Sequence, residues 1–103
     1  MKLMLKVTLP VEKTNEVIKA GRLAGTMQSI LSELKPEAVY FTEIDGVRSG
    51  FIFCELEDAS QIPAFAEPFF LAFNAAVEFH PVMTPADLAK AGPSIEQAAK
   101  KYA

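Results

Sequence analysis

The sequence predicts an α+β domain of ferredoxin-like βαββαβ order with a short helical C-terminal tail, and three observations carry that prediction. Apolar residues alternate over Lys2 to Leu9, the period becomes helical from Thr14, and Asp45-Gly46 separates two stretches rich in aromatic and β-branched residues. A further helix and strand follow before the tail. With 103 residues, half of them apolar, the chain has the size of one domain, 1–103, with a core over 1–83 and the tail over 84–103.

In the first strand Leu3, Leu5, Val7 and Leu9 share one face, Met4, Lys6 and Thr8 share the other, and Pro10 ends the pattern. From Thr14, an apolar stripe through Val17, Ala20, Leu23, Met27, Ile30, Leu31 and Leu34 predicts a single helix ending near Lys35-Pro36. Glu37 to Ile44 and Val47 to Leu56 form a hairpin whose two-residue turn sets Glu43 opposite Arg48, Tyr40 opposite Phe51 and Ala38 opposite Phe53. Asp58 or Ser60 can cap a second helix. Pro68 deletes a hydrogen bond within Gln61 to Phe73 and predicts a kink or split there, and Asn74 suits a left-handed C-cap. Ala76 to Val82 alternates as strand four, placed at an edge by Pro81. Thr84-Pro85-Ala86-Asp87 opens the tail and Gly92-Pro93 divides it into two short helices, the second carrying Ile95, Ala98, Ala99 and Tyr102 on one side.

The hairpin register sorts residues into two faces. Val39, Phe41, Gly50, Ile52 and Cys54 face the helices, Gly50 reading as room for a helix to approach. Tyr40, Thr42, Phe51 and Phe53 lie on the open face. Their rings expose on the order of a few hundred Å² of apolar surface, whose hydration forgoes several kcal/mol at about 25 cal/mol per Å². A second copy of the chain is the simplest cover, so the expected partner is the chain itself, through the open sheet face.

A net charge of −3 and scattered Lys and Arg give no nucleic-acid footprint, so no nucleic-acid partner is expected. The first residues lack a signal-peptide pattern and no apolar run is long enough to span a bilayer, so the expected address is cytoplasmic with no membrane partner. Cys54 is the single cysteine, which leaves no internal disulfide and no cysteine-based zinc site.

The βαββαβ order, the segment Pro68-Phe69-Phe70-Leu71-Ala72-Phe73 and the strand Val77-Glu78-Phe79-His80-Pro81 resemble small bacterial proteins of the dimeric α/β-barrel superfamily. That superfamily includes muconolactone isomerases and cofactor-free antibiotic-biosynthesis monooxygenases, and the nearest resemblance is to an uncharacterised family within it. The resemblance covers nearly the whole chain and implies fold and dimerisation; no catalytic motif of the characterised enzymes carries over.

Glu78 and His80 stand two apart on strand four, project to one face, and are the candidate acid/base pair. Lys6 on the neighbouring strand can pair with Glu78, and Tyr40, Thr42, Phe51 and Phe53 complete a candidate ligand-binding set. A metal would need a third ligand and His80 is the single histidine, so no metal is expected, and no phosphate or dinucleotide motif calls for a cofactor. Glu43 and Arg48 read as a cross-strand ion pair outside the site. Gly21 and Gly25 read as close backbone approach on the first helix. The expected function is a homodimeric small-molecule-binding protein, with a cofactor-free isomerase or monooxygenase acting on a small aromatic or anionic compound as its enzymatic form. The alternative is a non-catalytic binding or interaction protein whose polar sheet residues are an interface network.

Overall fold

In a computed structural model describing residues 1–103, the alternating start of the chain forms β1 (Lys2–Thr8), with Leu3, Leu5 and Val7 buried and Met4, Lys6 and Thr8 half-buried on the reverse side. The helical stripe that follows is two helices, α1 (Val11–Lys19) and α2 (Leu23–Leu34), where the sequence predicts one. Gly21 breaks it. Its φ of 71° lies in the left-handed region, Gly21 N–H donates to the Ile18 carbonyl at 2.9 Å and Arg22 N–H to the Val17 carbonyl at 3.0 Å. This is a Schellman C-cap, which closes α1 and lets the chain restart at Leu23 without interrupting the apolar stripe.

The hairpin of β2 (Ala38–Ile44) and β3 (Val47–Glu55) has the predicted register, with Asp45 and Gly46 both at positive φ as a type I′ turn requires. A single 3₁₀ turn over Ala59–Gln61, capped by the Asp58 carboxylate, leads into α3 (Ile62–Phe73). α3 runs through Pro68 unbroken, against the predicted split. Proline at 68 deprives the Ala64 carbonyl of its donor, and Ala64 is exposed, so water can take the vacant acceptor. Asn74 ends α3 at φ 54°, as expected. β4 (Ala76–Pro81) follows, then α4 (Pro85–Lys90), whose Thr84 and Asp87 form a reciprocal capping box, and α5 (Gly92–Tyr102).

The strands form one antiparallel sheet in the order β2-β3-β1-β4, so β4 is an edge and β1 is central, the arrangement of a ferredoxin-like fold. Helices α1, α2 and α3 cover one face. Between them, Leu3, Leu5, Val7, Ile52 and Cys54 from the sheet pack with Val17, Ile30, Phe65, Phe69 and Phe73 from the helices. Phe69 and Phe73 are fully buried, and truncating either to alanine would cost about 3–5 kcal/mol. Gly50 serves a different neighbour from the helix expected above it. A Cβ there would meet two ring carbons of Phe41, its cross-strand partner, at 3.2 and 3.3 Å. Nor does Gly25 mark a close approach, since nothing lies within 4 Å of a Cβ built on it.

Neither the tail nor any other segment covers the outer side of α3, where Leu71 is 78% exposed. The tail helices are themselves exposed, including Leu88, Ile95 and Tyr102. No helix is long and apolar enough to cross a membrane.

Candidate functional site

On the open face the pleat aligns side chains in rows across the sheet. One row runs Tyr40, Phe51, Lys6, Glu78 from β2 to β4; the next runs Ala38, Phe53, Met4, His80; on the other side lies Thr42, Ser49, Thr8, Ala76. All seven residues singled out from the sequence thus stand on one face. Residues two apart on a strand are about 7 Å apart along it, so Lys6 and His80 both reach Glu78. The Lys6 Nζ lies 3.7 Å from Glu78 Oε2, and His80 Nε2 lies 3.1 Å from Glu78 Oε1. One carboxylate therefore bridges a cation and an imidazole.

The aromatic members flank this cluster. Tyr40 and Phe53 meet edge to face with centroids 6.4 Å apart, and Phe51 stands between Tyr40 and Lys6 in its row. Tyr40 is 65% exposed and Phe51 and Phe53 are half-buried, so the face has no cover within the chain. Thr42, on β2 in the next row towards the turn, has β3 between it and Lys6, and both β3 and β1 between it and Glu78 and His80. Glu78 and His80 offer two neighbouring ligand atoms, short of the set a metal takes, and no group of three or more metal-ligating side chains gathers anywhere in the chain.

The largest cavity lies elsewhere, on the helix side of the sheet between α2 and the β2–β3 hairpin. It is a cleft of about 890 Å³. Leu23, Met27 and Leu31 follow one another at four-residue spacing along α2 and form its helical wall, while Phe41 and Leu9 close it from the sheet. Gln28, Ser32 and Arg48 supply its polar side chains; Thr42 and Ser49 also line it, although the pleat turns their side chains to the open face. No carboxylate, imidazole or thiol lines it.

Arg48 is free to line the cleft because the predicted ion pair with Glu43 does not form. Glu43 instead turns its Oε2 onto the backbone N–H of Gly46 at 2.7 Å, capping the turn that its own strand enters. Arg48 reaches the other way, its Nη1 donating to Asn15 Oδ1 on α1 at 3.0 Å. Cross-strand register brought the two residues opposite, but an unsatisfied N–H in a tight turn is a nearer partner for a glutamate than a solvated guanidinium.

Sequence reasoning missed this cleft because its residues read as core. Leu23, Met27 and Leu31 belong to the helical stripe, yet all three are only half-buried, and Phe41 is 56% exposed on the face assigned to the helices. The available signal was a phenylalanine facing a glycine near the end of a hairpin, which marks a ring lying over its neighbour instead of an approaching helix.

A family model described as Domain of unknown function (DUF3303) matches residues 1–95. No curated protein and no solved structure matches the chain.

Proposed function

We propose a function from the premise that the chain belongs to the DUF3303 family: it is a homodimeric protein that binds a small organic molecule. The observation that carries the binding half is the cleft of about 890 Å³ between α2 and the hairpin, within the size range of small-molecule sites and mostly apolar with a few polar groups. The dimer half rests on the open sheet face, whose Tyr40, Phe51 and Phe53 have no cover within the chain. The ferredoxin-like topology supports a place in the dimeric α/β-barrel superfamily, whose sheets pair through that face.

In this reading Lys6, Glu78 and His80 are an interface network, since they already satisfy one another and lie across the sheet from the cleft. An enzymatic reading is favoured by one observation, the imidazole held 3.1 Å from a carboxylate, an arrangement able to move a proton. It requires substrate room beside His80, between the paired sheets. An isomerase or cofactor-free monooxygenase would have that form.

Native mass spectrometry of wild type, Phe51→Lys and Met27→Trp tests the proposal. The expected spectra show two chains for wild type, one chain for Phe51→Lys, and a bound small molecule that Met27→Trp loses while keeping two chains. A wild type of one chain that takes up no small organic acid, alcohol or arene would overturn it.

A further inference from the structure

We propose that the cleft takes an apolar monocarboxylate, with the Arg48 guanidinium holding the carboxylate and α2 and Phe41 enclosing the hydrocarbon; this rests on the binding reading above. The charge is the first argument. No carboxylate lies within 4 Å of Arg48, its cross-strand neighbour Glu43 being turned onto Gly46 N–H. The one side-chain bond that Arg48 makes is to a neutral amide, through Nη1. A guanidinium has five N–H donors in a planar fork, so most of that fork remains for a two-oxygen acceptor.

The shape of the cleft supplies the second argument. Leu23, Met27 and Leu31 lie along nine residues of helix, and the eight rises from the first to the last give about 12 Å of continuous apolar wall at 1.5 Å per residue. That is the length of an extended chain of about eight to ten carbons, or of a ring on a short alkyl spacer. Phe41, held over Gly50, presents a flat ring against such a body. The remaining polar lining consists of neutral amide and hydroxyl groups, so the cleft offers a cationic ligand no counter-charge and a neutral one no use for Arg48.

The test uses octanoate and octan-1-ol, alike in length and differing in the head group, titrated into the intact protein carrying ¹³C-methyl methionine. The Met27 methyl reports on the cleft wall, and Met27→Leu assigns its signal. Both probes are expected to shift that signal, octanoate binding about tenfold more tightly than the alcohol, the value of one charge-assisted hydrogen-bonded contact at a wet rim. Arg48→Gln should bring octanoate down to the affinity of octan-1-ol for the same variant, and Arg48→Lys should keep part of the preference. Equal affinities for acid and alcohol in wild type, or a preference that survives in Arg48→Gln, would overturn the carboxylate assignment and leave the cleft as a binding site. A Met27 signal that neither probe moves would overturn both. The wild-type comparison decides the matter even where Arg48→Gln fails to fold.

Discussion

Lys6 and Glu78 face each other directly across β1 and β4, 3.7 Å apart, and the second oxygen of the same carboxylate meets His80. What this pair contributes depends on what covers it. An ion pair open to water contributes about 0–1 kcal/mol, whereas a covered one costs about 3–5 kcal/mol when a single partner is removed. Under the proposed dimer, Glu78→Gln should therefore destabilise by more than 1 kcal/mol in urea denaturation, and adding Lys6→Gln should restore part of that loss. A loss below 1 kcal/mol with no dependence on protein concentration would place the pair in solvent.

The fold was legible because its signals were local and agreed with one another. The Asp45-Gly46 turn fixed the hairpin register, the Thr84 and Asp87 box fixed the start of α4, and β1 alternated cleanly. The gathering of Lys6, Glu78 and His80 followed from parity and strand order alone. The helix break at Gly21 was not legible, since the apolar stripe continues across a Schellman turn with its phase nearly intact. The cleft escaped for a related reason: periodicity tells which face a residue takes and says nothing of whether the opposing wall reaches it. Met27 and Phe41 took the predicted faces and still line a void.

The two glycines of the first helical region should respond to alanine with opposite signs. Gly25 lies within α2 with nothing within 4 Å of an added Cβ, so Gly25→Ala should stabilise by about 0.5–1 kcal/mol through reduced backbone entropy in the unfolded chain. Gly21 holds φ at 71°, and Gly21→Ala should cost about 1–2 kcal/mol. Melting temperatures of the two variants check this, and a fall for Gly25→Ala would show a contact that the chain makes only with a partner.

Thr14 presents a buried cost that can be removed. Its side chain is fully buried in α1, and Oγ1 has no hydrogen-bond partner. The Thr14 backbone N–H donates to the Pro10 carbonyl at 3.0 Å, and the hydroxyl makes no bond of its own. Thr14→Val keeps the shape and removes the unmatched hydroxyl, so it should stabilise by about 1 kcal/mol, the lower end of the cost of an unsatisfied buried polar group. Thr14→Ser keeps the hydroxyl and loses a methyl, and should destabilise by a similar amount. Urea midpoints that fall in both variants would show that the hydroxyl is satisfied, by a water or otherwise.

Cys54 ties stability to alkaline pH. Burial against the core pushes its thiol above the ordinary value of 9.0, and the charge of Glu37 adds to the rise. The folded chain therefore holds its proton to higher pH than the unfolded chain does. By linkage, the stabilisation is fully present below pH 9.0 and is lost as pH rises from there through the folded value. Cys54→Ala loses packing at every pH but also loses this slope. The difference in unfolding free energy between wild type and Cys54→Ala should thus be constant at neutral pH and shrink above pH 9.0, tyrosine and lysine titrations being common to both chains. Alkylation by iodoacetamide gives an independent reading, because a thiol that is 1% exposed reacts only when the sheet opens. The alkylation rate should follow urea concentration with the slope of global unfolding. Unfolding curves that stay parallel above pH 9.0, with alkylation as fast as that of a free thiol, would mean that Cys54 is wet in solution and that the packing of β3 against the helices is looser than its neighbours indicate.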